Sequence, residues 1–89
     1  EIVFCKSDKG YTIFYLKGGK EVLVSKGLKE YENLLTPFGF LRCHQSYLVN
    51  FHFVKKYYRE GYLVMENKEL VPVSSRKKEE VIQYLENIA

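Results

Sequence analysis

Six short runs, each too short for a stable helix and most of them rich in β-branched and aromatic residues, constrain this chain most: "IVFCKS" (2–7), "YTIFYL" (11–16), "EVLVS" (21–25), "FVKKYYR" (53–59), "GYLVMEN" (61–67) and "ELVPVS" (69–74). Turn-forming residues separate them, at "SDKG" (7–10), "KGG" (17–19), Glu60-Gly61 and Asn67-Lys68. Such residues suit a pleated, half-buried surface, and the spacing predicts a hairpin over Tyr11–Ser25 and a three-stranded meander over 53–74. Pro72 has no N–H for a ladder, so its strand belongs at an edge or is irregular there.

Two segments switch to helical spacing. Leu28, Tyr31, Leu34 and Leu35 form one stripe, with Ser25 as the expected N-cap and Pro37 and Gly39 ending the run, so a short helix is expected over about 27–35. Val81, Ile82, Leu85 and Ile88 form a second stripe in "SRKKEEVIQYLENIA", a C-terminal helix beginning near Ser74 or Ser75. Eighty-nine residues suffice for one domain with one core. The chain opens without Met on a strand-like segment, and residues 1–89 are read as a single domain of a longer protein. No apolar run approaches 18 residues, so no membrane contact by this segment is expected and the setting is read as cytoplasmic. Cys5 and Cys43 make no disulfide framework. They read as buried thiols, with a single bridge as the alternative.

One stretch resists this pattern. "FLRCHQSYLVNF" (40–51) sets Arg42, His44, Gln45, Ser46 and Asn50 among core-grade residues. Cys43 and His44 are neighbours, and a regular strand would point them to opposite faces, which suits a nucleophile and its base badly. Cys5, Cys43, His44 and His52 show no metal-ligand spacing, "KGGKE" is not a phosphate loop, and no carboxylate pair marks a cleft. The reading is therefore not an enzyme, with no metal, cofactor or small-molecule substrate. A small hydrolase or redox protein using Cys43 and His44 stands third.

Charge points elsewhere. The net charge is only +3, but no carboxylate occurs from Asn33 to Arg59, where Arg42, Lys55, Lys56 and Arg59 fall. A second cluster, Arg76-Lys77-Lys78, opens the last helix. Cations there oppose the helix dipole at a cost of about a few tenths of a kcal/mol each. An anion docked at the free N–H groups would reverse that balance, with Ser74 and Ser75 adding hydroxyls, whereas basic side chains splayed into water would leave it. Gln45 carries an amide that matches adenine N6/N7, and Arg76 a fork that matches guanine O6/N7.

"FGFLRCHQSYLVNFHFV", followed by "VPVSSRKK", resembles the LytTR DNA-binding domain, the effector domain of LytR/AlgR/AgrA-type bacterial response regulators. Phe40, Arg42, His44, Ser46, Tyr47, Leu48, Val49 and Asn50 fit its pattern, and the resemblance spans essentially the whole chain. It implies a mainly β fold, an elongated stack of small antiparallel sheets with about ten short strands, one short internal helix and a C-terminal helix. It implies loops that enter the major groove of double-stranded DNA, with base contacts from Lys9, Gln45 and Arg76. Lys6, Arg42, His44, Ser46, Ser75, Lys77 and Lys78 are expected at phosphates, with bracing of the loop as the alternative for Arg42, His44 and Ser46. Asn50 reads as a backbone-bonding residue, and Phe40, Leu41, Leu48, Val49 and Phe51 as core. The resemblance further implies transcription regulation in a two-component phosphorelay, an upstream receiver domain, and direct repeats bound by two copies. The alternative is a small β-rich module that binds RNA or a protein partner through exposed Tyr rings.

Overall fold

The computed structural model describes residues 1–88, without the side chain of Ile88, so the expected place of Ile88 on the last stripe lies outside the described residues. The chain runs β1 (Ile2–Asp8), β2 (Tyr11–Leu16), β3 (Glu21–Val24), α1 (Leu28–Leu35), β4 (Phe40–His44), β5 (Tyr47–Asn50), β6 (Val54–Tyr58), β7 (Tyr62–Met65), β8 (Leu70–Pro72) and α2 (Lys78–Ile88). The fold is mainly β, as expected, with an internal and a C-terminal helix. The described residues form eight strands where the resemblance implied about ten. Connections 36–38, 51–53 and 75–77 coil into single 3-10 turns instead of extending.

The strands make two antiparallel sheets, one in the order β3-β2-β1-β5-β4 and one in the order β6-β7-β8. The expected hairpin and meander are both present. Pro72 sits in an edge strand, where its missing N–H costs no ladder bond.

The larger sheet is covered on both faces. Phe4 and Val49, paired across β1 and β5, face a core completed by Phe51, Phe53, Leu63, Met65, Val71 and Val81. Cys5 and Leu48, the next pair, face the opposite way, with Leu28 and Phe40, under α1. Burial on both faces explains why "IVFCKS" reads as a continuous apolar run rather than an alternating one. A bulge at Val3 turns both Val3 and Phe4 to the same core.

Three details differ from expectation. The N-cap of α1 is Gly27, without a side-chain cap bond, not Ser25. The connection is pinned instead by buried Thr12, whose Oγ1 donates to the Lys26 carbonyl at 2.9 Å. A second bulge, at Cys43, removes the expected opposition of Cys43 and His44. Cys43 packs in the larger core, and His44 pairs with Tyr47, which packs against that same core. The third concerns the cations before α2. Ser75–Lys77 form a 3-10 turn and the α-helix begins at Lys78, so Arg76 and Lys77 precede it. Its first turn carries Glu79 and Glu80, the charge its dipole favours. The molecule measures 33 × 26 × 24 Å, and no helix among the described residues is long and apolar enough to cross a membrane.

Candidate nucleic-acid interface

The β1–β2 and β4–β5 turns share one end of the larger sheet. β1 runs antiparallel to β5 with Lys6 opposite Tyr47, so the end of β1 meets the start of β5. One residue further on, the Ser7 N–H donates to the Ser46 carbonyl at 2.9 Å.

Lys9 and Gly10 form the first turn, between the Asp8–Tyr11 pair, with φ of 51° and 88°. Positive φ at both central residues gives the twist that tight hairpins prefer. Lys9 is exposed at its tip. Gln45 and Ser46 form the second turn, inside the His44–Tyr47 pair, and neither has positive φ. A turn of that kind splays its strands, and the bulge at Cys43 restores twist beside it.

The Gln45 turn is held from within. Nε of Arg42 donates to the His44 carbonyl at 3.1 Å and its NH2 donates to the Gln45 carbonyl, while its NH1 meets Glu32 Oε1 of α1 at 2.8 Å. His44 Nδ1 accepts the Ser46 N–H at 3.0 Å, so that nitrogen carries no proton in this arrangement. The His44 ring also lies edge-on to Tyr47, 5.6 Å between centroids. With its backbone so restrained, the exposed Gln45 side chain projects from a fixed base.

A third segment reaches the same end from the smaller sheet. The Ser74 N–H donates to the Cys43 carbonyl at 3.0 Å, which fastens residues 74–77 to β4. Arg76 and Lys77 thereby face Arg42, His44 and Gln45 across a cleft of about 380 Å³, which Glu32 and Ser74 complete. Gln45 and Arg76, far apart in sequence, thus come together.

The other expected site residues are spread more widely, and of these only Lys77 lines the cleft. Lys9 stands on the neighbouring turn. Lys6 holds its ammonium 5.7 Å from the centre of the Tyr47 ring. Ser75 is exposed at the start of the 3-10 turn, and Lys77 pairs with Glu80 at 3.2 Å. Lys78 does not line the cleft. Its Cε lies 3.1 Å from where a Cβ on Gly61 would stand, so it lies over the β6–β7 turn. Asn50 lies outside the site, donating to the Ile2 carbonyl and accepting the His52 N–H, each at 3.0 Å.

Sequence reasoning missed two residues. Lys26 is exposed beside Gly27, whose position for a Cβ is 3.9 Å from the Gly10 carbonyl. Counting chain reversals would have found it, because a hairpin after the Lys9 turn returns the chain to the same end. Glu32 carries no sequence signal, because its contact with Arg42 depends on how α1 lies across the sheet.

Burial disfavours the reactive thiolate form of both cysteines. Both are free and buried, and burial pushes each up to about 12. Cys43 donates its S–H to the Pro72 carbonyl, with sulfur and oxygen 3.5 Å apart.

Comparison with known proteins identifies the fold and the family. No curated protein matches the chain. The solved LytTr DNA-binding domain of a protein described as a methyl-accepting/DNA response regulator from Bacillus cereus superposes with a TM-score of 0.85 at 27% identity, covering 94% of this chain and 80% of that one. Residues 1–86 match the family described as the LytTr DNA-binding domain. The chain belongs to the LytTR family of DNA-binding domains.

Proposed function

We propose that this domain binds double-stranded DNA sequence-specifically, with its turns in the major groove, as the effector of a bacterial transcriptional response regulator. One observation carries the reading. Gln45 and Arg76, whose side chains match the edges of adenine and guanine, meet in one cleft walled by further cations, and no helix is needed to present them. Lys9, on the turn fastened to that of Gln45, is the third base-reading candidate. In this reading Lys77, Ser75, Lys6 and Lys26 contact flanking phosphates, which supply affinity without sequence information. Lys78 serves a phosphate only at the flank. In this reading Arg42 and His44 chiefly hold the Gln45 turn.

The resemblance to response-regulator effectors supports a wider setting for this reading. A receiver domain upstream would control the effector, two copies would occupy direct repeats, and the protein would act in the cytoplasm.

The test is competition under a salt titration. A duplex selected by the domain from a random-sequence pool should outcompete random duplex, single strands and RNA. Preference for RNA or single strands would favour the RNA-binding alternative instead.

A further inference from the structure

The cleft contains one residue of the wrong sign. A surface built to meet phosphate gains nothing directly from a carboxylate, yet Glu32 lines it, about one-third exposed. Among the described residues, its side-chain partner is Arg42 alone, at 2.8 Å. α1 is itself fixed, because Leu28 is buried under it and Tyr31 meets Phe14 edge-on at 4.9 Å between centroids. Glu32 is therefore an anchor on a rigid element, and the Arg42 guanidinium is stretched between that anchor and two turn carbonyls.

We propose that Glu32 is a positioning residue for base reading: it holds Arg42 against the His44 and Gln45 carbonyls and withholds that guanidinium from phosphate. This rests on the duplex-reading function proposed above. Without the carboxylate, Arg42 has a free end beside a polyanion. It turns outward, gains a phosphate contact that carries no sequence information, and releases the turn that carries Gln45. The Glu32–Arg42 pair thus trades non-specific affinity for specificity.

Glu32→Ala tests this with two independent readouts. On DNA, the ratio of affinities for selected and random duplex should fall about five-fold or more, the lower end of one base contact. The salt slope on random duplex should steepen by about one, the signature of an added phosphate contact. In the free domain, amide order parameters should drop at Gln45 and Ser46 and hold at Lys9 and Gly10. Glu32→Gln, which keeps an acceptor oxygen but no charge, should fall between. In an Arg42→Met background, Glu32→Ala should change the ratio no further.

Equal tightening on both duplexes at an unchanged ratio would overturn the proposal, because it would make Glu32 a mere repulsive charge. So would unchanged Gln45 and Ser46 amides, or an undiminished effect without Arg42. If the parent domain prefers no duplex, the DNA reading fails, and the amide measurement alone decides whether Glu32 positions the turn.

Discussion

The backbone N–H of Ser7 donates to the carbonyl of Ser46 at 2.9 Å, and this bond makes one surface of two turns that lie far apart in sequence. Lys9 and Gln45 are therefore not independent. Whatever moves the first turn pulls on the strand end that carries the second.

Gly10→Ala should expose that coupling. At φ 88° a side chain is strained, although nothing lies within 4 Å of its Cβ, so the cost is conformational. It should be about 1–2 kcal/mol, which lowers the melting temperature by roughly 4–8 °C per kcal/mol in a domain of this size. The amide shifts of Ser7 and Ser46 should move with it. An unchanged melting curve would show that the turn adopts another shape freely.

Arg76→Ala and Lys77→Ala should separate reading from holding. Loss of the Arg76 fork should cost about 1–3 kcal/mol on the selected duplex and relax the preference at one base position. Loss of Lys77 should weaken selected and random duplex alike and flatten the salt slope by about one. Equilibrium binding across a salt series measures both. If both variants bind like the parent, the cleft is not the interface.

Asn50→Ala should weaken the fold without touching the cleft. The Asn50 side chain ties the start of β1 to the turn after β5. Its removal leaves the Ile2 carbonyl and the His52 N–H to find water, at a cost of about 1–3 kcal/mol. Denaturant unfolding should show the loss, while the preference for the selected duplex should survive.

The sequence made the hairpin, the meander and both helices legible because each rests on local periodicity, although Leu34 and Ile82 of the two expected stripes are exposed. Gln45 and Arg76 were legible as chemistry, and the family pattern paired them. What stayed hidden depends on contacts between distant elements. The cap of α1 passed from Ser25 to Gly27 because Thr12 secures the Lys26 carbonyl from another strand. The bulge at Cys43 follows from how a turn without positive φ must join two twisted strands. The Glu32–Arg42 pair requires α1 to cross the larger sheet at one place, and no spacing encodes that.

The buried thiols give a pH dependence whose sign is fixed. Cys5 and Cys43 are raised from 9.0 to about 12 by burial, which penalises the thiolate. In the unfolded chain both ionise near 9, while in the folded domain they hold their protons. Between those values the folded state binds more protons than the unfolded state, so stability falls as pH rises. The stabilisation is complete below about pH 9 and is lost progressively toward 12. Denaturant midpoints should therefore drop between pH 8 and 10.5, and the drop should be shallower in Cys5→Ala/Cys43→Ala, which has no thiol to ionise. Alkylation of the parent at pH 8 should track unfolding, since neither thiol is exposed in the native fold. Fast alkylation under native conditions would show that one of these sites opens. Equal pH slopes in parent and variant would assign the dependence to other groups.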